Sequence, residues 1–382
     1  MKTVFIGHFS PSSLCLEEAS SPAGNQVQRQ ILHELIQGCG LDRVTCFSMC
    51  PQPFWPKGRL YFRSIVEDSI EFLGYPNLPV IKHLVFALRL FVRLIMLRPK
   101  ICLQYNSYLL ESLTLILYRT IRRRSSIAII IQDIHVASGV KMLSKAGLRV
   151  LVERISLRLA RRFNMIVPIS SAIVVDFNLP LSNSFVFQGG ITEFATRIMS
   201  EGQQDLAEIA VFAGGLESHN GIDRLVDEWL VGGIAHTLHV FGRGSLAKHV
   251  EQAALQSDRI VFHGFQSEEV ILSWQRLARW NFCLRYSVGL NQSYFFPSKL
   301  FNILCAPGTV VVNDFHGIPT SIRPYLCIVA DDLSDLAERL PASSMLSSPH
   351  SVFARRQIVC TQHSWRSCVT QLIRALSRDA SH

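Results

Sequence analysis

The chain has 382 residues, 48% of them apolar and 18% charged, so it is too long for one ordinary core and too apolar to be disordered. Its formal charge of +9 is concentrated in residues 1–190, which hold 22 basic and 11 acidic side chains. This composition favours two domains, of which only the first meets an anionic partner such as a bilayer surface, a phosphorylated lipid or a nucleic acid.

Residues 1–191 alternate β-branched runs with amphipathic segments, which predicts an N-terminal Rossmann-like domain. The predicted strands are Thr3–His8, Arg43–Phe47, Ile101–Tyr105, Ile127–Gln132, Met165–Ile169 and Ser184–Gln188. The predicted helices are Gln26–Gln37, Val80–Leu97, Leu109–Arg122, Lys141–Arg162 and Ala172–Asp176. Arg89 and Arg93 interrupt the apolar run 81–97, which argues against a membrane span of about 20 residues.

Residues 192–206 are polar and without periodicity, and we expect them to be a linker. Residues 207–348 predict a second Rossmann-like domain. Its predicted strands are Ile209–Ala213, His236–Phe241, Arg259–Phe262, Asn281–Arg285, Thr309–Val312 and Leu326–Ala330. Its predicted helices are Gly221–Val231, Ser245–Gln256, Ser267–Ala278, Ser298–Leu304 and Leu333–Leu340. Residues 349–382 are expected to form a helical segment, around Phe353–Arg378, that crosses back to pack on the first domain.

The segment from Asn281 to Pro319 carries the strongest indication of chemistry. Ligands of open α/β sheets bind beyond the carboxyl ends of the strands, where Arg285 is predicted to close a strand and Ser298 to cap a helix. Two cations, Arg285 and Lys299, beside the amino end of a helix predict a site for a diphosphate. Asn302 follows one helical turn later on the same face, within reach of the group that is attached to the phosphate.

Glycines follow the first two strands of this domain. Gly214 and Gly215 end the first strand, and Gly242 and Gly244 flank Arg243 after the second. Such glycines allow close approach to a phosphate or a sugar, although they are equally common in tight βα turns.

The order of these motifs resembles the retaining GT-B glycosyltransferases of the family 4 type, which include bacterial enzymes of capsular and exopolysaccharide synthesis. The resemblance covers residues 209 to about 340 well and the first domain loosely. It is carried by six segments in order: Val211–Leu216 with Gly221, Phe241–Gly244, Phe262–Phe265 with Glu268–Val270, Leu284-Arg285, Phe296–Lys299, and Gly308–Val310 with Gly317–Pro319.

The resemblance implies two facing Rossmann-like domains, a nucleotide-diphosphate sugar on the second and a glycan acceptor, lipid-linked, on the first. It implies that the protein transfers this sugar in polysaccharide biosynthesis and uses no metal and no cofactor beyond the nucleotide sugar. The implied donor-binding residues are Gly214, Gly215, Gly242, Arg243, Arg285, Ser298, Lys299 and Asn302. Arg285 and Lys299 would stabilise the departing nucleotide.

The chain departs from this pattern at three positions. Many relatives have Glu where Asn302 stands, and often Arg and Lys where Gly215 and Asn220 stand. A non-catalytic GT-B protein that acts as the partner subunit of another glycosyltransferase is therefore the alternative.

In the first domain, Gly24 and Asn25 lie between the predicted first strand and helix, where relatives bring a glycine-rich loop to the acceptor side of the cleft. Asp133 and His135 follow a strand and are candidates for catalysis or for positioning the acceptor. An Asp that caps the next segment and a His on a loop explain them equally well.

The excess positive charge of the first domain lies on helices. Lys82, Arg89 and Arg93 form one predicted stripe, and Arg154, Arg158, Arg161 and Arg162 form another. We expect these basic helices either to make peripheral contact with the inner face of the membrane or to be the solvated outer faces of the domain. Nucleic acid binding is disfavoured, because no aromatics interleave with the arginines. The ten cysteines contain no C-x-x-C pair and the N-terminus lacks a signal peptide, which favours the cytoplasm.

Overall fold

The computed structural model describes residues 2–11, 22–134, 145–200, 205–288 and 291–379. These residues form two compact units. The first holds the described residues up to 134 together with 145–188 and 365–379, and the second holds those between 189 and 364. Among the described residues, no helix combines the length and the hydropathy needed to cross a membrane.

The first unit is built on a mainly parallel sheet. Its strands are β1 (Thr3–Gly7), β2 (Val44–Ser48), β3 (Tyr61–Phe62), β4 (Ile65–Glu67), β5 (Ile70–Phe72), β6 (Tyr75–Pro76), β7 (Ile101–Tyr105), β8 (Ser126–Ile131) and β9 (Met165–Pro168). The sheet order is β4-β5-β2-β1-β7-β8-β9, and β3 pairs with β6 apart from it. Every residue of β1, β7 and β8 is buried, as expected for parallel strands covered on both faces.

The helices that cover this sheet are α1 (Pro22–Cys39), α2 (Ile81–Leu97), α3 (Leu109–Ile121), α4 (Lys145–Leu159) and α5 (Ser171–Asp176). In α2 the buried side chains recur at every fourth residue, namely Lys82, Phe86, Leu90 and Leu94. The predicted exposed stripe of Lys82, Arg89 and Arg93 is therefore wrong at its first member. Lys82 is buried, and its ammonium lies 4.3 Å from the centre of the Phe54 ring.

The second unit has a wholly parallel sheet with strand order β12-β11-β10-β13-β14-β15. The elements are α6 (Glu193–Ser200), β10 (Ala207–Ala213), α7 (Ile222–Val231), β11 (Thr237–Phe241), α8 (Ala247–Gln256), β12 (Ile260–Phe262), α9 (Glu268–Leu277), β13 (Ala278–Phe282), α10 (Lys299–Leu304), β14 (Thr309–Asn313), β15 (Leu326–Val329), α11 (Leu336–Ala342) and α12 (Pro349–Gln362). Phe212, Trp229 and Phe282 lie in its core. Both sheets have the Rossmann strand order, in which the direction of winding reverses beside the first strand.

The C-terminal residues divide between the units. Helix α12 stays with the second unit, where the buried guanidinium of Arg355 donates hydrogen bonds to the carbonyls of Leu304, Leu346, Ala306 and Gly308. The last helix, α13 (Trp365–Asp379), belongs to the first unit and packs against α1. The predicted pair of Rossmann-like domains, with a C-terminal helix on the first, is confirmed.

Several predicted elements differ from the structure. Residues 184–188 are not a strand, because Ser184 makes only an isolated bridge with Ile166 beside β9. The strand predicted at 281–285 is displaced to Ala278–Phe282, so Arg285 lies three residues beyond its end. The segment 192–206 contains helix α6. Gly24 and Asn25 lie within the first turn of α1 and not in a loop.

Candidate functional site

The crevice between the carboxyl ends of β10 and β13 brings several of the predicted residues of the second unit together. These strands are neighbours, and the connections that follow them run to opposite sides of the sheet. Gly214 directly follows β10, and Arg285 follows β13. In open parallel sheets this topological switch point is where ligands bind.

Lys299, the first residue of α10, reaches across to the end of β10. Its ammonium donates a hydrogen bond to the Ala213 carbonyl at 3.0 Å and lies 4.6 Å from the centre of the Phe212 ring. Burial lowers the pKa of Lys299, and the positive charge of Arg285 lowers it further. The cation is thus held at the crevice by a carbonyl and a ring, neither of which neutralises it.

Arg285 is fixed by three asparagine contacts. Its backbone N–H donates to Oδ1 of Asn313 at 2.8 Å, and Nδ2 of Asn313 donates back to the Arg285 carbonyl at 2.8 Å. Its guanidinium donates to Oδ1 of Asn220 at 2.9 Å. Asn313 is buried at the last position of β14, and the sequence analysis missed it. In the sequence, the polar Asn313 directly after the apolar run Val310–Val312 could have indicated it.

The electrostatics of the crevice are cationic. Burial lowers the pKa of His219, and the charges of Arg285 and Lys299 lower it as well. Among the ion pairs between described residues, none includes Arg285 or Lys299. The Glu217 carboxylate instead accepts hydrogen bonds from the N–H and the hydroxyl of Ser245. Two half-buried cations that form no ion pair with a described carboxylate are suited to binding an anion.

The glycines of the two βα turns make room for protein atoms. Gly214 has φ +154°, and a Cβ there would lie 2.8 Å from Nζ of Lys299. Gly242 has φ +147°, and a Cβ there would lie 1.9 Å from the carbonyl oxygen of Gly214. A Cβ on Gly215 would meet Nδ2 of Asn220 at 3.3 Å. The alternative of tight βα turns therefore accounts for Gly214 and Gly242 without a ligand.

The other predicted donor-binding residues make no hydrogen bond to Arg285 or Lys299 among those found between described side chains. Ser298 is exposed and occupies the predicted N-cap position of α10, but its hydroxyl makes no capping hydrogen bond. Its αR backbone explains this, because side-chain caps usually need an extended one. Arg243 is exposed and its guanidinium lies 4.7 Å from the centre of the Phe265 ring. Asn302 is half-buried in the middle of α10, one turn after Lys299.

In the first unit, polar groups meet at the ends of β7 and β8. Asp133 is exposed, and its carboxylate accepts a hydrogen bond from Nδ2 of Asn106 at 3.3 Å. Oδ1 of Asn106 in turn accepts the Asp133 N–H at 3.1 Å. Asn25 accepts the Ser10 N–H, and the Gly24 carbonyl accepts from Gln28, so both act within the fold. His135 lies outside the described residues.

A histidine that the sequence analysis did not single out lies at the end of β1. The His8 ring stacks on Tyr108 with 3.8 Å between centroids, and its Nε2 lies 3.2 Å from Oε1 of the buried Glu111. A histidine directly after a buried strand was the available signal. Across the described residues, no group of three His, Cys, Asp or Glu side chains is placed to hold a metal ion.

Comparison with known proteins gives no match to a family model and no significant match to a curated sequence. Solved structures match over nearly the whole chain. Sucrose-phosphate synthase from Thermosynechococcus elongatus has a TM-score of 0.68 at 12% identity and covers 99% of both chains. HepE from Anabaena, solved in complex with UDP, has a TM-score of 0.67 at 12% identity and covers 99% of this chain and all of its own.

The chain has the GT-B fold. A third match, the lipopolysaccharide outer core galactosyltransferase WaaB in its apo form, has a TM-score of 0.63 at 13% identity and covers 99% of both chains. At this identity the likeness establishes the architecture that the motif order predicts.

Proposed function

We propose that this protein is a glycosyltransferase that moves a sugar from a nucleotide-diphosphate sugar to a glycan acceptor. The observation that carries the proposal is the pair Arg285 and Lys299, two half-buried cations at the switch point of the second unit that form no ion pair with a carboxylate of the described residues. HepE, whose fold this chain shares, was solved with UDP and also with UDP and glucose.

The proposed chemistry is electrostatic. When the glycosidic bond to the nucleotide breaks, negative charge grows on the diphosphate, and groups already oriented toward it lower the barrier. Arg285 is preorganised by Asn313 and Asn220, and Lys299 by the Ala213 carbonyl, so neither has to be ordered during the reaction. Asn302, one turn beyond Lys299, is proposed to accept a hydrogen bond from the nucleotide ribose.

The rest of the proposal concerns acceptor and setting. We propose retention of configuration, as in the family 4 type, with the acceptor on the side of the first unit where Asp133 lies. The acceptor is proposed to be a lipid-linked glycan of polysaccharide biosynthesis, reached at the cytoplasmic face of the membrane through the basic helices of the first unit. No side chain is assigned as nucleophile or general base.

The test is nucleotide binding and turnover by the full chain. Calorimetric titration with UDP, GDP and ADP should show binding of at least one nucleoside diphosphate, and the cognate nucleotide sugar should be hydrolysed slowly or transferred to a supplied acceptor. Binding without turnover on any acceptor would favour the non-catalytic alternative. Absence of binding to all three nucleoside diphosphates would refute the proposed donor site.

A further inference from the structure

Three neighbouring helices of the first unit expose apolar side chains in regular rows. Helix α2 packs against α3, and α3 packs against α4. The outward residues are Leu84, Leu88 and Val92 on α2, Leu117 and Ile121 on α3, and Leu151 on α4. Leu88 is 64% exposed and Leu117 is 52% exposed. We call this the α2–α4 face.

This face cannot be explained by the core of the unit. In α2 the core contact is already made by Phe86, Leu90 and Leu94, on the side of the helix opposite to Leu84, Leu88 and Val92. Spacings of four residues keep each row on one side of a helix. A helix that is apolar on both sides is normally covered on both sides, so the outward row calls for an apolar partner.

A pocket beside the same face is lined by arginines. It lies between α3 and the turn after α4, and is bounded by Ile116, Arg119, Thr120, Arg123 and Arg162. Nη1 of Arg119 donates to the Arg162 carbonyl at 2.7 Å, which holds two walls of the pocket together. None of the ion pairs between described residues includes these arginines. Three guanidinium groups around one cavity are suited to a phosphate.

We infer that the α2–α4 face seats the first unit on an anionic phospholipid bilayer. The leucine rows enter the acyl boundary, and the arginine pocket takes the phosphate of a lipid headgroup. Leu117, Ile121 and Arg119 lie on α3, Arg123 follows that helix and Arg162 lies in the turn after α4, so one contact can satisfy both the apolar rows and the cations. A nucleic acid would leave the leucines exposed, and a second copy of the chain would bring arginines against arginines. The inference rests on the membrane contact in the proposed function and does not depend on donor binding.

The experiment is co-sedimentation of the full chain with vesicles of phosphatidylcholine alone or mixed with phosphatidylglycerol, at low and high salt. The unchanged chain should bind the mixed vesicles, and part of the binding should persist in high salt because insertion is not screened. Arg119→Gln with Arg123→Gln should lower partitioning onto mixed vesicles about 25-fold, about fivefold for each arginine. Leu84→Gln with Leu88→Gln should lower it about tenfold or more and abolish the salt-resistant fraction.

Matched controls change charge and hydropathy elsewhere. Lys248→Gln with Arg339→Gln removes two exposed cations of the second unit, and Leu255→Gln with Phe353→Gln removes two exposed apolar groups there. Both controls should partition like the unchanged chain. Three outcomes would overturn the inference. The controls could lose as much vesicle binding as the test variants, or high salt could reverse the binding completely. The chain could also form a dimer that depends on Leu84 and Leu88 and fail to bind vesicles. Nucleotide titration of the same variants separates this outcome from failure of the proposed donor site.

Discussion

Replacing Lys299 by Met separates a binding role from a structural one. Methionine keeps most of the length and apolar stem of lysine but removes the charge. Lysine here contributes a hydrogen bond to the Ala213 carbonyl and a contact with the Phe212 ring. A hydrogen bond to a charged group contributes about 1.5–3 kcal/mol, and a cation over a ring adds about 0.5–2 kcal/mol.

Against these gains stands the desolvation cost of the half-buried ammonium, which has no carboxylate partner among the described residues; this cost reaches several kcal/mol for a fully buried ion. The two contributions are similar in size, so we expect the free energy of unfolding of Lys299→Met to change by no more than about 1 kcal/mol or to rise. Binding of a nucleoside diphosphate should weaken about 10- to 150-fold, the equivalent of one charge-assisted hydrogen bond of about 1.5–3 kcal/mol.

The assay pairs calorimetric titration with urea denaturation of the same preparation. Lys248→Met, which removes an exposed lysine of α8, is the control and should leave both quantities unchanged. A Lys299→Met variant that binds the nucleotide normally and loses more than about 2 kcal/mol of stability would show that the lysine serves the fold, and the reasoning would fail.

Three further predictions concern the second unit. Gly242→Ala should lower the free energy of unfolding by about 2 kcal/mol or more in urea denaturation, because the new Cβ would meet the Gly214 carbonyl. Gly233 has φ +69° and open space around it, so Gly233→Ala should lower the free energy of unfolding by only about 1 kcal/mol. Equal losses would contradict this explanation. Burial lowers the pKa of His239 from 6.5 to about 4, so its contribution to stability is complete above pH 6.5 and is lost as the pH falls toward 4. His239→Gln should flatten this part of the stability profile, and an unchanged slope would count against it. Asn302→Glu should bind the nucleoside diphosphate as well as the unchanged chain or better, and a clear loss in titration would show that the position does not face the ribose.

Much of the fold is encoded in local patterns. Every predicted strand of the second unit has a counterpart, and the pattern is plainest in β14, where each residue of Thr309–Asn313 is buried as in a strand covered on both faces. The displacement of β13 has a local cause, since α9 ends at Leu277 and the strand begins at Ala278 with no turn residue between them. The short strands β3 to β6 were missed because two or three residues carry no periodicity.

The candidate site was predictable in outline but not in its contacts. The order of motifs brought Arg285 and Lys299 to one crevice. The clamp of Asn313 on Arg285 joins residues 28 positions apart and depends on the register of β13 with β14. Likewise, a glycine pattern does not reveal whether the space above it is taken by a phosphate or, as at Gly214, by a lysine of the same chain. Such distinctions depend on tertiary packing.

The position of α13 constrains how the chain can be assembled. Trp365 packs against Phe187, and the Ser126 hydroxyl donates to the Leu376 carbonyl, so the first unit closes only with residues that are made after the whole of the second unit. The second unit, by contrast, has all its strands once Val329 has been made. During synthesis the N-terminal sheet must therefore wait, incompletely covered, while its neighbour can already fold. Truncation after Ser364 should accordingly harm the N-terminal unit more than the C-terminal one.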